Sequence, residues 1–150
     1  MPKLNKPSVR FAFIKKRRFP FQTVRLCLTY KGKRLYQTDE SNNWYGVDLS
    51  QFNSDGTLTL NNDNPEREAY MNESKRLLYM AESATMIAEE AEKRGVWELL
   101  TSKDFADLLN YLGEYRPIAE RKCNGKLNDF EKAVKMTYEF CWQRIGKRKV

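Results

Sequence analysis

The 150-residue chain contains no histidine. That absence removes Ser-His-Asp, Cys-His and imidazole acid–base chemistry together, and leaves no Cys/His zinc pattern to complete. Its three cysteines, Cys27, Cys123 and Cys141, are odd in number and have no CxxC spacing, which fits a reducing compartment. Neither a GxxxxGK[ST] nor a GxGxxG loop occurs, so no nucleotide-phosphate cradle is encoded. No apolar run reaches the roughly 18 residues of a membrane span, and the basic opening lacks the apolar stretch of a signal peptide. The expectation is a cytoplasmic protein that is not an enzyme as this chain stands, with no cofactor, no metal, no membrane and no small-molecule substrate. Internal repeats and low-complexity segments are also missing. What remains is 41% hydrophobic and 13% aromatic residues with a mean hydropathy of −0.76, enough for one ordinary domain or two very small ones.

Acidic residues are absent from the whole opening. Residues 1–38 hold eleven Lys or Arg and no Asp or Glu, residues 39–101 carry a net −8, and residues 102–150 a net +4. Solvated surfaces normally mix both signs to limit self-repulsion, so an acid-free block of this length points to a polyanionic partner.

The basic block alternates as β-structure. Val9, Phe11 and Phe13 alternate with Arg10, Ala12 and Ile14, and Val24, Leu26, Leu28 and Tyr30 alternate with Arg25, Cys27 and Thr29. Lys31-Gly32 supplies a two-residue hairpin turn before a returning strand over Lys33 to Thr38. Closing that turn pairs Tyr30 with Lys33, Leu28 with Leu35 and Leu26 with Gln37, which gathers one apolar face and leaves Arg25, Thr29, Arg34 and Tyr36 on the other. A connector follows from Trp44, with a short strand expected over Thr57 to Leu60 after an Asp55-Gly56 turn.

Helical patterning begins at Asp63 or Asn64 as cap, with Pro65 at the first position and Glu66 and Glu68 at the positive end of the dipole. A stripe of Tyr70, Leu77, Ala81, Ala84, Ile87 and Ala91 runs to a Gly95 stop. A second helix, capped by Thr101 or Ser102, carries Phe105, Leu108, Leu109 and Leu112 and is expected to break at Gly113 and Pro117. A third begins near Asn128, with Phe130, Val134, Tyr138, Cys141 and Ile145 on one face and a stop at Gly146. The fold class is therefore α+β: a small three-stranded antiparallel sheet followed by a long helix and a small helical unit. Expected divisions fall at 1–62, 63–95 and 96–150.

The order of basic sheet, Lys-Gly-Lys-Arg turn, Trp/Asp connector, Asn-Pro-Glu helix start and F-x-x-A-V-x-x-x-x-x-F segment resembles the N-terminal part of mobile-element tyrosine recombinases of the phage-integrase type. Thr23 to Tyr36 looks like that family's second strand, turn and third strand, Asp63 to Gly95 like its linker helix, and Phe130 to Phe140 like a core-binding helix. The resemblance implies an arm-type DNA-binding sheet that enters the major groove, followed by a partial helical core-binding domain. The family's catalytic Arg, Lys, His and Tyr set is absent from this chain, as in an N-terminal piece of a recombinase or a relative that binds without cutting, so none of the eight Tyr residues inherits a nucleophile role.

The expected function is sequence-specific double-stranded DNA binding in integration or recombination, with other recombinase protomers as further partners. Arg25, Thr29, Arg34 and Tyr36 are candidates for base edges. Arg10, Lys15, Lys16, Arg17, Arg18, Lys31 and Lys33 are candidates for phosphates, and Lys122, Lys126, Lys132 and Lys135 form a second basic set in the helical half. Two other readings stand beside it: RNA or single-strand binding through stacked Phe and Tyr side chains, and a non-catalytic interaction protein that uses the long acidic helix.

Overall fold

The computed structural model describes residues 6–14, 23–39, 52–58, 67–121 and 126–149. Lys15 to Arg18, Asp63 to Glu66, Lys122 and Cys123 lie outside the described residues. The chain divides into two compact units within its longest helix, the first ending at Thr85 and the second starting at Met86.

In the first unit, β1 (Ser8–Ile14), β2 (Thr23–Tyr30) and β3 (Lys33–Asp39) form an antiparallel meander with β2 in the centre. The register is the expected one: Tyr30 faces Lys33, Leu28 faces Leu35 and Leu26 faces Gln37. Across the other edge of β2, Phe11 faces Leu26 and Val9 faces Leu28. Both turn residues have positive φ, 49° at Lys31 and 76° at Gly32, a pairing whose twist matches that of the flanking strands. Alternation then segregates the faces. Phe11, Val24, Leu26, Leu28, Tyr30 and Leu35 are buried, whereas Arg10, Ala12, Arg25, Arg34 and Tyr36 are exposed.

Residues 52–58 join this apolar face to the first helix, α1 (Arg67–Lys93). The Phe11 N–H donates to the Ser54 carbonyl at 2.7 Å, and the Ser74 hydroxyl donates to the Gly56 carbonyl at 2.7 Å. Phe52 stacks on Tyr70 with ring centroids 6.0 Å apart, and both are buried. Of the strand expected over Thr57 to Leu60, Thr59 and Leu60 lie outside the described residues, and the described part holds a single bridge between Phe52 and Leu58. The Asp55 carboxylate accepts from both the Thr57 N–H and the Thr57 hydroxyl, and these local bonds stand in for a ladder.

In the second unit α1 ends as its sequence prescribes. Gly95 takes φ 68°, its N–H donates to the Glu92 carbonyl, and the Val96 N–H reaches back to the Ala91 carbonyl, the paired bonds of a Schellman cap. After a 3₁₀ turn at Trp97–Leu99, α2 (Ser102–Glu120) and α3 (Asp129–Gly146) both open with reciprocal capping boxes, Thr101 with Asp104 and Asn128 with Glu131. Asp104, 2% exposed, also receives Arg144 from the last turn of α3 and Arg148 from just beyond it. Burial alone would push its carboxyl up. The hydrogen bonds from Arg148 and Thr101 outweigh that and hold it well below the usual carboxylate range.

Two expectations are corrected here. The second helix does not break at Gly113 and Pro117 but runs through both to Glu120. Both residues are exposed, so the carbonyl that loses its donor at Pro117 faces water, while buried Leu112, Arg116 and Ile118 hold the other side. Phe130 does not join the core of α3: it is 66% exposed. The half-buried side chain of that first turn is Glu131, ion-paired to Arg121, and the large aromatics on the buried face are Tyr138 and Trp142.

Candidate nucleic-acid interface

The exposed face of the sheet is an ordered lattice. Reading across all three strands gives three complete rows: Ser8, Thr29 and Arg34; Arg10, Cys27 and Tyr36; Ala12, Arg25 and Thr38; beyond the last of them Ile14 faces Thr23. Each row contains one arginine, and each arginine comes from a different strand. No acidic residue stands in any row.

Rows of an antiparallel sheet lie about 7 Å apart, and outer strands about 10 Å apart across a central one. The three guanidinium stems are thus spread along both axes of the face, with no two directly opposite. Like charges placed directly opposite would destabilise the sheet, and this offset avoids that. The Arg25 guanidinium carbon lies 5.9 Å from the Tyr36 ring centroid, a diagonal contact between neighbouring rows. Cys27 and Thr29 place Sγ and Oγ1 3.8 Å apart in the middle of the face.

The other expected site residues are distributed as follows. Lys31 is exposed at the hairpin tip, its Nζ 5.5 Å from the Tyr30 ring centroid. Lys33 pairs with Tyr30 and so belongs to the same side of the sheet as Leu35, away from Arg25 and Arg34. Lys126, Lys132 and Lys135 are exposed in the second unit. Lys15, Lys16, Arg17, Arg18 and Lys122 fall outside the described residues. Cys27, Ser8 and Thr38 were not expected as site residues, although the strand alternation already put them on the basic face.

A cavity of about 270 Å³ in the second unit is lined by Glu90, Arg94, Tyr115, Arg116, Glu120 and Tyr138, among others. Its charges are matched. Arg94 Nε donates to Glu90 at 2.7 Å, Arg116 lies 3.9 Å from Glu120, and Tyr115 stacks on Tyr138 at 4.5 Å. Balanced pairs of this kind leave little net field for a charged ligand, in contrast to the unbalanced sheet face.

No family model, no curated protein and no solved structure matches this chain. Among the described residues, no helix is long and apolar enough to cross a membrane.

Proposed function

We propose that the chain is a double-stranded DNA-binding module that docks the Arg10, Arg25 and Arg34 face of its sheet into the major groove, as the DNA-binding region of an integrase-type tyrosine recombinase. The observation that carries this reading is the three-row face itself, with one arginine per row, neighbouring Thr, Ser and Tyr groups, and no carboxylate. A groove about 12 Å wide accommodates the breadth of such a face, and a row spacing of about 7 Å matches two base-pair steps of about 3.4 Å. Guanidinium groups can take guanine edges in pairs of hydrogen bonds, and in this reading Lys31, exposed at the turn tip, meets a phosphate.

Single-strand stacking is less well supported. Of the aromatics that reading needs, Phe11, Phe13, Phe19, Phe21, Tyr30 and Tyr36, Phe11 and Tyr30 are buried and Tyr36 is exposed, while Phe19, Phe21 and the Phe13 side chain lie outside the described residues.

Cys27 provides a direct test because it stands in the centre of the proposed contact face. In a C123S background, thiol alkylation should modify Cys27 before Cys141, which is 4% exposed and whose thiol burial pushes up. A duplex selected from a random pool should slow Cys27 modification in proportion to occupancy. Duplex binding that leaves the Cys27 rate unchanged would reject this face as the interface. Tighter binding to the single strand than to the duplex would reject the duplex reading itself.

A further inference from the structure

The third helix carries a second line of side chains, with Ala133, Met136 and Phe140 at its centre, that faces away from its core. Its buried side consists of Val134, Tyr138, Cys141, Trp142 and Ile145. On the opposite side, Asp129, Ala133, Met136, Phe140, Gln143 and Lys147 are all exposed and are spaced four, three, four, three and four residues apart. Met136 is 70% and Phe140 59% exposed, and Phe130 flanks the line at 66%. Alternating four and three is the spacing of a coiled-coil seam, which keeps one narrow stripe turned toward a partner helix.

We propose that this seam pairs α3 with α3 of a second copy of the chain, antiparallel about a twofold axis. The charge pattern selects both occupant and direction. The seam begins with an acid and ends with a base, so an antiparallel copy sets Asp129 against Lys147 of the second copy at both ends. In the same register Met136 meets Phe140 of the second copy, and Ala133 meets Gln143 of the second copy. A parallel pair would instead set Asp129 against Asp129 and Lys147 against Lys147, which is repulsive at both ends. A twofold contact requires one self-complementary patch, and a seam with opposite charges at its two ends satisfies that requirement. One 18-residue helix offers less than the roughly 800 Å² per partner of a standard interface, so dissociation on the order of micromolar is expected. The proposal does not depend on the DNA reading, because every residue in it belongs to α3 or its C-terminal cap.

Sedimentation of the whole chain, with reductant present and without nucleic acid, tests this over micromolar to millimolar concentration. The expected result is a reversible monomer–dimer equilibrium. F140E should raise the dissociation constant at least about tenfold, as loss of a central apolar anchor does. Helical content, followed by circular dichroism, should not change, since Phe140 contributes to no core. D129K and K147E should each weaken the dimer, and the double variant D129K/K147E should restore it, because exchanging both ends recreates the antiparallel pairs but not parallel ones. M136E gives a second reading independent of the helix ends. A chain that stays monomeric overturns the proposal and leaves the seam to a different helix. A dimer indifferent to F140E and M136E also overturns it, and failure of the double exchange to rescue overturns the antiparallel geometry.

Discussion

The Arg25 guanidinium lies over the Tyr36 ring, 5.9 Å from its centroid, on the face of the sheet that is turned to solvent. Stacking on an exposed ring restricts a long side chain before any partner arrives, which reduces the ordering cost of binding. The expected consequence is asymmetric. Arg25→Ala should cost about 1 to 3 kcal/mol on a selected duplex and much less on a scrambled one, as loss of a base-edge contact does. Tyr36→Phe should be nearly silent and Tyr36→Ala intermediate, since only the ring is needed. Equal losses on both duplexes for Arg25→Ala and Arg34→Ala would remove base reading from this face.

Lys31 is the one non-glycine residue with positive φ among the described residues. A lysine in that conformation costs on the order of 1 kcal/mol relative to residues suited to it, and asparagine followed by glycine is the favoured turn pair. Lys31→Asn is therefore expected to raise the melting temperature of the first unit while weakening duplex binding and flattening its salt dependence by about one contact. Thermal unfolding and binding titrations at two salt concentrations check the two effects separately. If binding is unchanged, Lys31 meets no phosphate.

The sheet was legible in the sequence because its register is over-determined. A two-residue turn at Lys31-Gly32 fixes the pairing, and a slip by one residue would expose Leu26 and Leu28 and bury Arg25. The basic face follows from the same alternation, including Cys27 at its centre. The starts of α2 and α3 were readable as Thr101 or Ser102 and as the neighbourhood of Asn128, and the reciprocal bonds of Asp104 and Glu131 fix the caps at Thr101 and Asn128. Misplaced features depended on long-range contacts. Pro117 is tolerated because buried neighbours hold the helix around it, and in the first turn of α3 it is Glu131, paired with Arg121, that turns inward while Phe130 stays exposed, an arrangement that no local pattern announces. The coiled-coil spacing of Asp129 to Lys147 was present in the sequence but overlaps the core stripe of the same helix, and exposure separates the two.

Asp104 links a capping box to two arginines near the C-terminus, and its ionised form is favoured by folding. The sign follows from the lowered folded pKa. Its contribution is complete above the unfolded value of about 3.9 and is lost progressively as pH falls from there through the folded value. Acid titration followed by tryptophan fluorescence should show the second unit weakening below about pH 4. Asp104→Ala should remove on the order of 2 to 3 kcal/mol at neutral pH and abolish that part of the acid dependence. Arg148→Ala should act in the same direction. An acid profile identical in wild type and Asp104→Ala would contradict the assignment.

Three glycines are expected to respond to alanine with different signs and sizes, because they differ in backbone conformation and in space. At Gly56, φ is +90°, and an added Cβ would stand 3.2 Å from Leu77 Cβ and 3.5 Å from the Phe11 ring. Strain and crowding then act together at the point where β1, the connecting loop and α1 converge, so Gly56→Ala should destabilise the first unit by roughly 2 to 3 kcal/mol. Gly32 has φ +76° but no atom within 4 Å of an added Cβ, so only conformational strain applies, on the order of 1 kcal/mol. Gly113 sits inside α2 with open space around it and no positive φ. There Gly113→Ala should stabilise the second unit by about 0.5 to 1 kcal/mol, since alanine loses less entropy on entering a helix and nothing is displaced. Chemical denaturation of the three variants checks the order, and a Gly113→Ala variant less stable than wild type would mean that α2 is not continuous through Pro117.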